Sequence, residues 1–292
     1  MRIAYVNGAY VPHTQAAVHI DDRGYQFADG VYEVICLVKG KFVDFKEHLD
    51  RLDLSLSGLR MPSPFDRHLL THICHEVIRL NRIKDGIVYI QITRGVAPRY
   101  HGFPDHAEPS IVVTVKYSNQ RQAAAKCAQG LVAITLPDSR WARPDIKSIS
   151  LLPNILSKQH ALEAGAYDAI LYNSDGFVTE SSTTNVWVVD AKGQLRTPPL
   201  SGKILAGITR QRLITLLTAE GVVINESLLS LSELRQAQEI MLSASVSGVI
   251  PIVKLDGHPV GDGQTGEMAK LMGRLYLDYA SSLNADVIPI AK

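Results

Sequence analysis

The chain has 292 residues, enough for two domains or one large one with a substantial core. It is 46% hydrophobic and 20% charged with a formal net charge of +1, which gives no electrostatic reason to expect nucleic acid or an acidic surface as partner. Small, discrete ligands fit that balance better. The N-terminus reaches a turn signal at Asn7-Gly8 before any apolar run long enough for a signal peptide, and no later stretch is long enough to span a bilayer. A cytoplasmic protein with no membrane partner is expected. Three widely spaced cysteines, Cys36, Cys74 and Cys127, suit reduced thiols better than a disulfide framework.

In chain order, Asn7-Gly8 predicts a hairpin between residues 3–6 and 10–11. Residues 20–30 are dense in turn formers and charges, and a β-rich run over 31–38 is turned back by Lys39-Gly40-Lys41 into 42–45. Leu49, Leu52, Leu56 and Leu59 recur at helical spacing, which predicts an amphipathic helix over 46–59 with His48, Arg51 and Ser55 on its other faces. Pro62 and Pro64 break it, and a second helix covers 66–80. His72, Cys74, His75 and Glu76 fall in that helix, where only neighbours three or four apart share a face. No third and fourth ligand joins them, so they read as a partly exposed helix face and no metal is expected. Strands at 87–93 and 111–117 flank a long loop over 94–109.

Residues 118–129 read as an interdomain linker, which leaves 1–117 as a smaller α+β domain and 130–292 as a larger one. The second part predicts strands at 131–136, 167–172, 177–179, 185–189, 222–225, 239–242 and 249–255. Helices are expected over 153–164, from Gly207 to about residue 220, over 231–236 and over 265–282. The fold class is α/β in the broad sense, a mixed α+β chain of two domains.

Four stretches carry chemistry. In 145–152, strand-like alternation puts Lys147 on the same face as Ile149 and Leu151. A buried, unpaired ammonium is costly, so such a lysine finds a carboxylate, loses its proton, gains a covalent bond that removes its charge, or else snorkels to solvent. Glu180 is followed by five small polar residues, Ser181 to Asn185. A carboxylate among hydroxyls suits a charged heteroaromatic cofactor, and equally suits a turn whose hydroxyls cap backbone groups. Gly207-Ile208-Thr209 opens a helix, where free amides favour a phosphate, with Ser245 in a second hydroxyl-rich turn and Arg51 as a source of positive charge. The loop 94–104 brings Arg99 and His101 close enough to face one substrate carboxylate.

The runs DRGYQFADGVYE at 22–33, RGVAPRYH at 94–101, DIKS at 145–148, VTESS at 178–182 and GITR at 207–210 occur in an order that resembles the fold-type IV pyridoxal-phosphate aminotransferases. Within them the chain is most similar to the D-amino acid aminotransferases, over nearly its whole length. The resemblance implies a two-domain enzyme that uses pyridoxal 5′-phosphate to move an amino group from a D-amino acid such as D-alanine to a 2-oxo acid such as 2-oxoglutarate. It implies Lys147 as the residue bonded to the cofactor and the proton shuttle, and Glu180 as partner of the ring nitrogen. Arg51, Ile208, Thr209 and Ser245 would take the phosphate. Tyr32, Arg99 and His101 would take the substrate carboxylate, the loop of Arg99 and His101 reaching over from the second subunit of a homodimer. The chain departs from its relatives at Ser245-Val246, where threonines are frequent, and at Tyr100. An L-branched-chain aminotransferase, an (R)-amine aminotransferase and an aminodeoxychorismate lyase share the cofactor apparatus and stand as alternatives, as does a non-catalytic binding protein of the same fold.

Overall fold

A computed structural model of the chain describes residues 2–119, 122, 125 and 127–283. Parts of the expected linker and of the expected larger domain, residues 120, 121, 123, 124, 126 and 284–292, lie outside the described residues. The chain forms two compact units. One comprises Met1–Asn119 with Lys147–Ser150 and the chain from Asp278 onward; the other comprises Gln120–Ile146 and Leu151–Leu277.

The first unit is built on a six-stranded antiparallel sheet of order β2-β1-β6-β5-β3-β4. Its strands are β1 (Ile3–Val6), β2 (Ala9–Pro12), β3 (Gly30–Val38), β4 (Lys41–Phe42), β5 (Gly86–Thr93) and β6 (Ser110–Tyr117). Asn7 and Gly8 both adopt positive φ, 44° and 96°, which matches the twist of a two-residue hairpin. Three helices follow the strands: α1 (Arg23–Phe27), α2 (Phe45–Gly58) and α3 (Arg67–Asn81). Helix α1 has no counterpart among the elements expected from the sequence. At five residues it is too short to show a period, and it exists because the Asp22 side chain accepts from the Gly24 amide while Ala28 closes it in the left-handed region.

Along β5 burial alternates, with Val88, Ile90 and Ile92 inside, and on α2 Leu49, Leu52 and Leu56 are buried as their spacing predicts. The same helix also buries His48, Arg51 and Ser55, which corrects the expectation that they lie on outer faces. The reason is a fully buried carboxylate, Glu33 on β3, that draws the polar groups inward. On α3, Cys74 is buried while His72 and His75 are exposed, so the polar cluster noted in the sequence is split between two faces. Among the described residues no group of three His, Cys, Asp or Glu side chains is placed to hold a metal, and no helix is long and apolar enough to cross a membrane.

The second unit is built on a nine-stranded mixed sheet of order β12-β11-β10-β13-β14-β7-β8-β9, with β15 paired to β14. Its strands are β7 (Leu131–Pro137), β8 (Asp168–Tyr172), β9 (Val178–Ser181), β10 (Asn185–Val189), β11 (Leu195–Thr197), β12 (Ile224–Glu226), β13 (Glu239–Ala244), β14 (Gly248–Leu255) and β15 (His258–Pro259). The pairs β11/β12, β14/β7 and β7/β8 are parallel. Both faces are covered. Val186 and Val188 pack into one cluster with Ile170, Leu242 and Ile250, while Trp187 and Val189 point the other way into a cluster with Leu213, Leu217 and Met272. Helices α4 (Leu152–Glu163), α5 (Ile208–Ala219) and α6 (Leu231–Arg235) belong to this unit, and α7 (Glu267–Ser282) begins in it.

The lysine run over 145–151 is not a sheet strand, contrary to its alternation. Only Ser148 forms a bridge, to Val31, flanked by hydrogen bonds from the Tyr32 amide to the Lys147 carbonyl (3.1 Å) and from the Ile149 amide to the Gly30 carbonyl (3.0 Å). These few bonds to β3 place Lys147–Ser150 in the first unit although the residues on either side belong to the second.

Candidate active site

In the first unit, two hydrogen bonds of its own backbone fix Lys147. Its carbonyl accepts from the Tyr32 amide, and its own amide donates to the Ser55 hydroxyl on α2 at 3.2 Å. The Nζ atom lies 4.3 Å from the centroid of the Tyr32 ring, a cation–π distance. Burial pushes the amine down from its ordinary value to about 7; the positive charge of Arg51 pushes the same way, and Glu33 opposes both. Near neutral pH a large fraction of this amine is uncharged, which answers the question the sequence raised.

Next to it stands a buried ionic cluster. Arg51 donates to Glu33 through Nε and Nη2, both at 2.8 Å, and His48 Nδ1 lies 2.7 Å from Glu33 Oε2. Burial alone would raise the Glu33 carboxyl; the charge and hydrogen bonds of Arg51, then those of His48, more than reverse this and bring it to about 2. Residues 48, 51 and 55 are spaced by three and four, so one face of α2 presents all three toward β3. Arg51 is therefore a buried, carboxylate-oriented guanidinium rather than an exposed one. Tyr32, the strand neighbour of Glu33, stacks on Tyr89 with 5.7 Å between centroids, and the Tyr89 hydroxyl donates to Gln91 at 2.7 Å. Burial raises the pKa of both tyrosines, Tyr89 to about 12, so both keep their protons.

Arg99 and His101 lie elsewhere in the same unit. Both rest on the ring of Phe27, the Arg99 Cζ at 4.7 Å and the His101 ring at 5.4 Å from its centroid. Among the described residues neither makes a hydrogen bond or ion pair, and no ring contact joins either to Tyr32 or Lys147.

In the second unit Glu180 is buried on β9 and is held on several sides. It is paired to Arg140, and its Oε2 accepts from the Asn185 amide side chain at 3.3 Å and the Leu205 backbone at 3.2 Å. Arg140 also binds Asp138 through Nε and Nη2. Burial would raise the Asp138 carboxyl, but the Arg140 bonds leave it below its ordinary value. Of the two readings of the hydroxyls after Glu180, the turn is seen: the Ser181 hydroxyl accepts from the Thr183 and Thr184 amides at 3.3 and 3.1 Å. Ser181 and Ser182 donate to the fully buried Asp168, at 3.2 and 2.5 Å, so they satisfy a core carboxylate.

Gly207 caps α5, and among the described residues no side-chain cap hydrogen bond is made at the start of that helix, where the amides of Ile208 and Thr209 lie. A Cβ on Gly207 would collide with Asn185 Oδ1, so only glycine fits beside the side chain that also holds Glu180. The Thr209 hydroxyl is buried and lies 3.4 Å from both the Ser245 and the Tyr276 hydroxyls. Sequence reasoning missed Glu33, His48, Ser55, Asp138 and Arg140. The spacing of His48, Arg51 and Ser55 was visible, but the carboxylate that gives it meaning is on another element, and nothing in the local sequence marks Arg140.

The first unit thus holds a buried amine whose pKa is lowered to about 7, and the second holds a buried carboxylate and a helix opened by Gly207. The model of the family described as Amino-transferase class IV matches residues 30–255. A D-alanine aminotransferase of Listeria monocytogenes is 38% identical over 274 residues, covering 94% of each chain. Among solved structures, the branched-chain amino acid aminotransferase of Escherichia coli superposes with a TM-score of 0.89 at 24% identity, covering 99% of this chain and 97% of that one. A hypothetical aminotransferase from Mycobacterium tuberculosis, in a PLP-bound form, gives a TM-score of 0.81 at 24% identity, covering 96% of this chain and 99% of that one. At that identity the structures speak for the shared fold, and the match of family model and sequence together makes the chain a member of the class IV aminotransferases.

Proposed function

We propose that the protein is a pyridoxal 5′-phosphate-dependent D-amino acid transaminase that moves the amino group of a D-amino acid such as D-alanine to a 2-oxo acid such as 2-oxoglutarate. The observation that carries this reading is the buried amine of Lys147 with its proton affinity lowered to about 7, in a chain 38% identical to a D-alanine aminotransferase. The donor set fits the cofactor: an uncharged amine for its aldehyde, an anion for its ring nitrogen and helix amides for its phosphate. Bound, the cofactor supplies an electron sink for the negative charge that develops at the substrate Cα.

The residues then take these roles. Lys147 would hold the cofactor through its amine and would move the proton at the substrate Cα; an amine with pKa near the working pH suits both directions. Glu180, oriented by Arg140, Asn185 and the Leu205 amide, keeps the ring nitrogen protonated. Arg51, aimed by Glu33, takes the phosphate with the amides of Ile208 and Thr209 and the hydroxyls of Thr209 and Ser245. Tyr32, Arg99 and His101 take the α-carboxylate. The working form is a homodimer in which the loop of Arg99 and His101 serves the site of the partner. Two features support this: among the described residues no hydrogen bond, ion pair or ring contact joins Arg99 or His101 to Tyr32 or Lys147, and the loop exposes Tyr100, as the segment bridged to it through Asp22 and Val96 exposes Ile20 and Tyr25. Three buried free cysteines suit a reducing cytoplasm.

The test is the absorbance of the holoenzyme before and after D-alanine, followed by borohydride reduction and peptide mapping. Loss of the yellow band with D-alanine but not with L-leucine or an aromatic amine, and a label on Lys147, are expected. A band bleached by L-leucine and untouched by D-alanine would refute the D-amino acid assignment while leaving the cofactor in place.

A further inference from the structure

The ring beneath Arg99 and His101 is itself held in an unusual frame. Phe27 carries a second guanidinium, the Arg23 Cζ at 4.9 Å from its centroid. Arg23 is buried, donates through Nε to Asp29 at 2.8 Å, and donates through Nη1 at 2.6 Å to the carbonyl of Tyr100, the residue between Arg99 and His101. Asp29 also accepts from Arg94 at 2.7 and 3.1 Å, at the start of the loop. Phe103, beyond His101, lies between Arg94 and Arg60, 3.7 and 4.7 Å from its centroid. Asp29 thus pairs with both Arg23 and Arg94, whereas among the described residues the Arg99 donors have no hydrogen-bond or ion-pair partner. The loop is thus anchored at Arg94, at the Tyr100 carbonyl and at the Phe103 ring, while among the described residues no hydrogen bond fixes the side chains of Arg99 and His101.

We propose that Phe27 is a positioning residue for carboxylate recognition, its ring holding the Arg99 guanidinium and the His101 imidazole in one orientation ready for a substrate carboxylate. The inference rests on the reading that Arg99 and His101 take that carboxylate. A flat aromatic surface restrains a planar guanidinium by stacking without using its N–H groups, so the donors stay available while the entropy lost on binding falls. Leucine in place of Phe27 keeps apolar packing and removes the flat face; tyrosine and tryptophan keep it.

The experiment compares Phe27→Leu, Phe27→Tyr, Phe27→Trp, Arg99→Ala and the double variant Phe27→Leu/Arg99→Ala as holoenzymes, with Phe27→Met as the second ring-free variant should the leucine form not fold. Phe27→Leu is expected to raise KM for D-alanine about tenfold with kcat within about twofold, and the tyrosine and tryptophan variants to stay within about threefold of the parent KM. Binding of propionate, an unreactive carboxylate, read from the cofactor absorbance, is expected to weaken in parallel. The effects of Phe27→Leu and Arg99→Ala should be less than additive in the double variant, because the part of the ring's effect that runs through Arg99 is already lost. If Arg99→Ala raises KM while neither ring-free variant does, or if Phe27→Leu raises KM equally in the Arg99→Ala background, Phe27 does not position the pair. If Arg99→Ala itself leaves KM and propionate binding unchanged, the carboxylate reading fails and the inference with it.

Discussion

An amine with a pKa near 7 inside a folded chain carries an energetic cost as well as chemistry. In the unfolded chain Lys147 titrates near 10.5, in the fold near 7, so below pH 7 both states carry the proton and the native state bears the full cost of a buried charge. Between pH 7 and 10.5 the unfolded state binds the extra proton and stability rises with pH. A tenfold change in proton affinity is worth about 1.4 kcal/mol, so the penalty at low pH is on the order of 5 kcal/mol. Lys147→Met in the cofactor-free protein is therefore expected to be more stable than the parent at pH 6, with the margin shrinking toward pH 10; urea unfolding at both pH values checks this. Glu33 acts on the same amine in the opposite sense and also compensates Arg51. Glu33→Ala leaves a buried guanidinium without its carboxylate and is expected to cost about 3–5 kcal/mol of stability, measurable by thermal unfolding. The same variant should lower the Lys147 pKa further, visible as a downward shift in the pH dependence of amine acylation in the cofactor-free protein.

At the scale of elements, the site depends on one close approach of backbone to backbone. The segment 147–150 stays beside β3 through the Tyr32 and Ile149 hydrogen bonds, and Gly30 is the residue that lets it. A Cβ there would lie 2.6 Å from the Ile92 carbonyl and 3.1 Å from Ile149 Cδ1. Gly30→Ala must push β3 from β5 or release the lysine segment, so a loss of about 1–3 kcal/mol is expected together with weaker cofactor retention, checked by urea unfolding and by dialysis of the coloured protein. Elements with a period were legible: the leucines of α2, the alternation of β5 and the Asn7-Gly8 turn all speak locally. The lysine run also alternates, but its partner strand lies far off in sequence, and only Ser148 completes a bridge. Short pieces such as α1, β11 and β15 exist because caps and neighbours complete them, and they leave no pattern of their own.

For the molecule as a whole, the proposed homodimer makes a prediction that no single chain can. If Lys147 of one subunit works with Arg99 of the other, chains carrying Lys147→Ala mixed and reassembled with chains carrying Arg99→Ala form mixed dimers in which one site has both residues intact. Random assortment should restore roughly a quarter of the parental D-alanine activity when it is assayed at D-alanine well below the raised KM of Arg99→Ala. No recovery after verified exchange would place both residues in the same subunit's site.

The sequence by itself determined the family and the order of its longer, periodic elements, because motif order, hydrophobic period and turn residues are local properties of the chain. It did not determine which polar groups are buried together. That Arg51 is aimed by Glu33 and His48, that Arg140 holds Glu180, and that Ser181 and Ser182 serve Asp168 were decided only by the tertiary structure. A buried charge is tolerable only where distant parts of the chain converge to compensate it, and no local pattern records such convergence.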